Sequence, residues 1–306
     1  MKKSLFADIS LLMVALVWGS TFVLVQNAIA TLPPNAFNAI RFFLAAFILG
    51  GWLLVFERKQ LQQLNRSIIT SGLLLGGWLF SGYAFQTVGL LYTSSSKAGF
   101  ITGLSVVLVP LFSLLLLKQK PSRNAIIGVS IATIGLYLLT LTDMTSLNRG
   151  DALVLACAIG FAMHIIFTGR YSDKFPTLLL TVIQIFTVSI LSGLLALLTE
   201  DYSLAFRIDI LLEKNVLIAL IITSVFATAI AFFAQTSFQK YTTPTRVALI
   251  FAMEPVFAAI TAYVWANERL TPHALLGCFC IFAGMIFAEL PMKKKPSISK
   301  DEKQVI

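Results

Sequence analysis

Three ionisable side chains, Glu254, Arg41 and His164, stand well inside long apolar stretches, where a charge is costly and points to function by default. Glu254 follows Arg246 by eight residues, which puts it ~12 Å into a ~30 Å hydrocarbon core at ~1.5 Å per residue. A lone carboxylate at that depth can take up a proton or meet a cationic group; a protonated structural hydrogen bonder is the plainer role. Pro255 removes a backbone donor next to it, so a kink is predicted beside the acid, and Pro110 predicts a second one earlier in the chain. Arg41 stands six residues past Asn35, roughly 9 Å from the opposite boundary. Its stem either snorkels back to that boundary or carries the guanidinium inward. There it would meet an anionic substrate group, or Glu254 across an axial gap of ~9 Å. His164 shares a helical face with Cys157, Gly160 and Thr168, and is either a proton acceptor or a neutral, hydrogen-bonded core histidine.

Neutral polar groups cluster in the same stretches. Gly19, Ser20, Gln26 and Asn27 fall within about 120° of one another at helical spacing, beside Trp18. A later stretch lines up Gly72, Gly76, Tyr83 and Gln86, and another lines up Ser224, Thr228, Phe232 and Gln235. Lipid tails satisfy neither amides nor hydroxyls, so these faces must meet other helices or water. Either they pack by interhelical hydrogen bonds or they line a cavity. On the second reading the substrate or cavity candidates are Trp18, Gln26, Arg41, Tyr83, Gln86, His164, Thr228, Gln235 and Glu254, with Glu254 also the coupling candidate. No catalytic residue, metal site or cofactor is expected. Cys278 and Cys280 diverge on a helix, Cys157 is a small packing residue, and His164 and His273 are the only histidines.

The elements that hold these residues are apolar runs. The 306 residues are 58% hydrophobic and 12% charged, with mean hydropathy +0.87, which excludes an ordinary soluble globule. Ten runs are long enough to span a bilayer: 8–29, 36–56, 68–90, 97–117, 124–142, 151–169, 177–198, 216–237, 247–266 and 273–290. Their length predicts helices rather than barrel strands, hence an all-α integral membrane protein with ten transmembrane helices. Leu204, Phe206, Ile208 and Ile210 predict a short interfacial segment within 199–215. The net charge of +9 invites a nucleic-acid partner, but the distribution of basic residues argues against one. With the N-terminus inside, 17 Lys and Arg face inward and 5 face outward, the bias that sets topology. Both termini are therefore expected in the cytoplasm, in a multi-pass cell (inner or plasma) membrane protein. Met1-Lys2-Lys3 with Ala28-Ile29-Ala30 imitates a cleavable leader, yet the run is long for one and has a partner later in the chain.

That partner belongs to a duplication. Residues 84–140 align without a gap on 233–289, 149 positions on, matching Gln86-Thr87 to Gln235-Thr236, Tyr92-Thr93 to Tyr241-Thr242, Gly128 to Gly277 and Gly135 to Gly284. Upstream the offset is 143: Asp8 falls on Asp151, Pro33 on Pro176 and Gly50 on Gly193. Identity is only 9 of 57 positions, so the ordered landmarks carry the argument. Five spans per copy invert the second copy, giving two inverted five-helix repeats at 1–142 and 150–290 and a basic cytoplasmic tail at 291–306. Such a duplication predicts a carrier that exposes one midplane site alternately to each side. Ser105-Val106 occupy the positions of Glu254-Pro255 in the first copy, so the halves are chemically unequal.

Glu254-Pro255-Val256, then Ala266-Asn267-Glu268-Arg269-Leu270-Thr271, Gly277 and Gly284, resemble the second-repeat signature of EamA-type proteins in the drug/metabolite transporter superfamily. Trp18-Gly19-Ser20-Thr21-Phe22, Arg41-Phe42 and Gly150-Asp151 match weaker features, and the likeness spans about 8–290. Lys118-Gln119-Lys120 and Asn267 depart from the family pattern. The resemblance implies ten helices in two inverted repeats, cytoplasmic termini, and export of small metabolites, such as amino acids or drug-like molecules. It also implies that 124–142 and 273–290 lie peripherally. The expected partners are a small-molecule substrate, the lipid bilayer and a proton as candidate coupling ion; the oligomeric state is left open. The alternative is an integral-membrane enzyme acting on a lipid or prenyl substrate, which the lack of clustered acids or a His-Asp pair disfavours. The sequence contains no nucleotide-binding loop, which excludes an ATP-driven pump within this chain.

Overall fold

The computed structural model describes residues 2–140, 148–266 and 271–289; the tail at 291–306 and residues 267–270 of the second-repeat signature lie outside them. Among the described residues the chain is helical, with no strand. α1 (Lys2–Ile29), α2 (Pro34–Phe56) and α3 (Arg66–Gly89) precede a span made of α4 (Ser95–Gly103) and α5 (Ser105–Leu117), and α6 (Arg123–Thr140) follows. α7 (Arg149–Tyr171) and α8 (Thr177–Thr199) lead to a 3-10 turn (Tyr202–Phe206) and the short α9 (Ile208–Leu211). α10 (Lys214–Ser224), a π-helical stretch (Val225–Ile230) and α11 (Ala231–Gln239) make one span, α12 (Pro244–Phe251) and α13 (Glu254–Ala266) another, and α14 (Pro272–Glu289) is last.

Eight of these stretches are long and apolar enough to cross a membrane. α6 and α14 are apolar but shorter, 18 residues or ~27 Å each, just under the hydrocarbon thickness. The expected interfacial segment corresponds to the turn and α9, where Tyr202, Phe206, Ile208 and Leu212 are exposed.

Polar side chains start the helices where the runs begin. Asn65 accepts from Ser67 N and Ile68 N, Ser94 from Lys97 N, and Thr243 from Arg246 N. Asn148 and Asp151 form a reciprocal capping box on α7. α2 begins at Pro34 without a local side-chain cap; Glu200, at the end of α8, accepts from Asn35 N and Ala36 N instead.

Two spans are interrupted at matching points. α4 ends and α5 begins around Leu104, and α12 and α13 are separated by Ala252 and Met253. Leu104 and Met253 are 149 residues apart. The kink predicted at Pro255 is this second interruption: Pro255 sits at the start of α13, where its missing N–H is harmless. α5 runs on through Pro110, so the first interruption lies six residues before that proline. α1 crosses the second break so closely that a Cβ on Gly19 would stand 2.4 Å from the Glu254 carbonyl oxygen, which admits only glycine.

Equivalent helices meet through exchanged contacts. Gly128 packs on Gly284 and Gly135 on Gly277, so α6 and α14 run antiparallel with glycine backbones in contact. Gly50 faces Val182 and Gly193 faces Ala39, which sets α2 against α8 in the same reversed order. At the two ends of the bundle Lys97 pairs with Asp151 at 2.6 Å, and Arg246 pairs with Asp8. These two ion pairs are themselves equivalents, since Asp8 maps to Asp151 and Lys97 to Arg246.

Candidate functional site

The two interruptions border a cavity between the helices. Its walls are drawn from equivalent positions in the two halves. Trp18 and Phe161 face it from α1 and α7, as do Thr21 and His164, and Phe22 and Ile165. Tyr83 and Gln86 of α3 are matched by Phe232 and Gln235 of α11. From the interrupted spans come Thr102 and Phe251, then Ser105 and Glu254, with Pro255 beside the acid.

Aromatic rings form much of the wall. Trp18 lies 5.3 Å from Phe232 and 5.0 Å from Phe251, and Tyr83 lies 4.9 Å from Phe42 and 5.2 Å from Phe161. Among them Arg41 is buried and turned into the bundle rather than snorkelling to the boundary. Its Nε donates to Thr228 Oγ1 at 2.7 Å and its Nη2 to the Ala227 carbonyl at 3.2 Å, with the guanidinium 5.0 Å from the Tyr83 ring centre. Trp18 Nε1 donates to the same Ala227 carbonyl at 2.8 Å. Ala227 lies in the π-helical stretch, where altered backbone pairing turns carbonyls toward side chains. Arg41 and Glu254 both line the cavity, yet they form no ion pair. Nor does the Glu254 carboxylate accept a hydrogen bond from any described residue.

His164 is buried, with Nε2 3.0 Å from Gln184 Oε1 and 3.3 Å from Thr168 Oγ1; Gln184 Nε2 in turn donates to Thr236 at 3.0 Å. Gln86 Nε2 donates to Thr102 Oγ1 at 3.2 Å. Most of the candidates therefore converge on one cavity. Two do not line it: Thr228 stands behind Arg41 as its hydrogen-bond acceptor, and Gln26 is half-buried and away from the lining. Asn27, on the same polar sector, is exposed. Thr21, Phe22, Thr102, Phe161 and Phe251 escaped the sequence reading. The repeat offset was the signal that finds Phe161, since it carries Trp18 onto that position. Among the described residues, no group of three or more His, Cys, Asp or Glu could hold a metal.

The cavity is not symmetric along the bundle. It continues past the paired residues to Val25 of α1, Leu90 just beyond α3 and Gly99 of α4. The equivalents Thr168, Gln239 and Ala248 are fully buried and contribute nothing to the lining. It therefore reaches toward the end where α1 passes to α2 and α3 to α4.

A model of the EamA-like transporter family matches residues 5–141 and again 148–290. An uncharacterized transporter of Archaeoglobus fulgidus is 36% identical over 288 residues, covering 94% of this chain and 87% of its own. The uncharacterized transporter YcxC of Bacillus subtilis is 25% identical over 305 residues, 94% of each chain. A crystal structure of a protein 18% identical in sequence shares the fold, with a TM-score of 0.77 over 92% of this chain and 95% of that one. Both halves match one family model, and the apolar helices surround a cavity built from both halves. The chain belongs to the EamA-like transporter family and is a multi-pass membrane transporter.

Proposed function

We propose that this protein is a secondary carrier that exports small metabolites, amino acids or related compounds or drug-like molecules, across the cell membrane by alternating access. The observation that carries the reading is the cavity walled by equivalent residues of both halves at two matched helix interruptions. Discontinuous helices at the meeting of repeats are where carriers bind solutes. In this reading the chain has ten spans in two inverted five-helix repeats, 1–142 and 150–290, followed by the cytoplasmic tail 291–306. The antiparallel pairing of equivalent helices supports inversion. A two-fold exchange relating α6 to α14 in this reverse order would have its axis perpendicular to the helices, as inverted repeats require. The short α6 and α14 count as spans here, since a bilayer thins locally around a helix a few ångströms short.

Arg41, Tyr83, Gln86, His164, Gln235 and Glu254 are the substrate-facing polar groups, with Trp18 part of the aromatic wall and Thr228 orienting Arg41. Aromatic faces suit an apolar body, while the guanidinium and the carboxylate suit polar ends of opposite sign. Glu254 is the candidate proton-binding group. Its protonation shifts the carrier only if its two conformations hold the proton unequally. Cells overproducing the protein, screened for tolerance to toxic amino acids and their analogues, are expected to gain resistance to at least one. Absence of any change, with the protein present in the membrane, counts against export. Orientation is tested by thiol labelling of cysteines introduced at Ser95 and Gln119. The first is expected to react from outside and the second from inside; both on one side would sink the inverted topology.

A further inference from the structure

Two glutamines on α11 lie at the end of the bundle opposite the one toward which the cavity lining extends. Gln235 lines the cavity, and its Nε2 donates to Gln239 Oε1 at 3.2 Å. Gln239 is fully buried, and its own Nε2 donates across to the carbonyl of Ile165 on α7. Gly169, one turn beyond on α7, makes room for this crossing: a Cβ there would stand 3.2 Å from Pro244 Cγ and 3.4 Å from Gln239 Nε2. Gln235 Oε1 is buried and accepts no hydrogen bond.

The equivalent place in the first half is wired differently. Gln86 matches Gln235, but the residue matching Gln239 is Leu90, which neither accepts nor donates. Gln86 therefore turns to Thr102. Gln235 has no such choice, because Phe251 stands where Thr102 would be. At the Leu90 end the cavity runs between α1 and α3, with Phe22 and Leu90 both in its wall; at the Gln239 end the amide bridges α11 to α7, and Gln239 is not part of the wall.

We propose that Gln235 and Gln239 form a hydrogen-bonded bolt that couples the binding cavity to its shut end. The inference rests on the alternating-access reading above. A solute N–H or O–H would donate to Gln235 Oε1, Gln235 donates to Gln239, and Gln239 holds the α7 backbone. A chain of amides aligned this way polarises along its length, so an event at the cavity is felt at the bolt. Opening this end requires the Gln239–Ile165 bond to break. A solute that turns the Gln235 amide away from Gln239 loosens the bolt from inside the cavity.

The test reads gate opening without a solute. Cys157, Cys278 and Cys280 are replaced, and a single reporter cysteine is placed at Val25 (open end) or at Thr168, its equivalent at the shut end. Labelling by a membrane-impermeant maleimide is followed in spheroplasts and in inverted vesicles. With Gln239 intact, the Val25 reporter reacts and the Thr168 reporter is protected. Gln239→Leu is expected to raise labelling at Thr168 about tenfold and lower it at Val25, the effect of losing about one buried hydrogen bond. Gln239→Met keeps the length but cannot donate, and should act alike; it decides the matter if Gln239→Leu fails to fold. Gln235→Leu should raise Thr168 labelling several-fold, whereas Gln86→Leu should leave it unchanged. Continued protection of the Thr168 reporter in folded Gln239→Leu and Gln239→Met overturns the bolt, as does an equal rise in Gln86→Leu. A labelling response in a protein that carries no tested solute supports the bolt while counting against export.

Discussion

The ends of the bundle and its middle have diverged differently between the two halves. At the ends the charges are kept: Lys97–Asp151 and Arg246–Asp8 are the same ion pair in equivalent positions, each joining one half to the other. In the middle they are not. Glu254 faces the cavity where the first half has Ser105, and Arg41 has Gln184 as its equivalent. Both halves interrupt the helix just before that position, so the break does not depend on the carboxylate, which only the second half carries. Charges at the ends tie the halves together, whereas the charges in the middle face the cavity without pairing with each other.

The equivalent ion pairs differ in burial. The side chains of Lys97 and Asp151 are 7% and 3% exposed, whereas Arg246 is 31% exposed beside Asp8. Asp151→Asn leaves a buried ammonium beside an amide and is expected to cost about 3 kcal/mol, with the Thr93 and Asn148 contacts weakened as well. Asp8→Asn should cost about 1 kcal/mol, since water reaches its partner. Thermal or denaturant unfolding in detergent checks both, and equal losses would break the distinction.

Next in size are effects in the middle. Gln86→Trp fills the cavity beside Thr102 and is expected to reduce transport on the order of 100-fold with membrane abundance unchanged. An equally bulky change on α6, such as Ile127→Trp on its exposed face, should leave transport intact. If it does equal damage, the cavity is not the path.

Glu254→Gln keeps the shape of the acid and removes its titration. We expect normal abundance, transport lowered about tenfold and a pH dependence flattened relative to the parent, measured in vesicles across a pH series. Wild-type rates at every pH would make Glu254 structural and move attention to His164. The smallest effect is expected at the matching position: Ser105→Ala should change transport by less than about twofold, because no charge is altered there. A loss as large as that of Glu254→Gln would mean that the two interruptions do the same work.

Much of this was legible in the chain. The apolar runs, the offset that pairs Gln86 with Gln235 and Gly128 with Gly277, and the depth of Glu254 follow from hydropathy and spacing, which are local properties of a helix in lipid. Helical phase also grouped Tyr83 with Gln86. Phase says only that a face avoids lipid, not whether it meets a cavity or another helix, and so it could not separate Gln86 in the wall from Gln26 outside it. Arg41 could snorkel or turn inward on its sequence alone. The outcome depended on a carbonyl that the π-helical stretch at Val225–Ile230 offers from 186 residues away. The interruption at Leu104, rather than at Pro110, and the bridging of α11 to α7 by Gln239 likewise rest on contacts between distant segments. Periodicity along one helix carries no record of the partner it will meet; only the packed bundle decided which polar groups line the cavity and which are buried between helices.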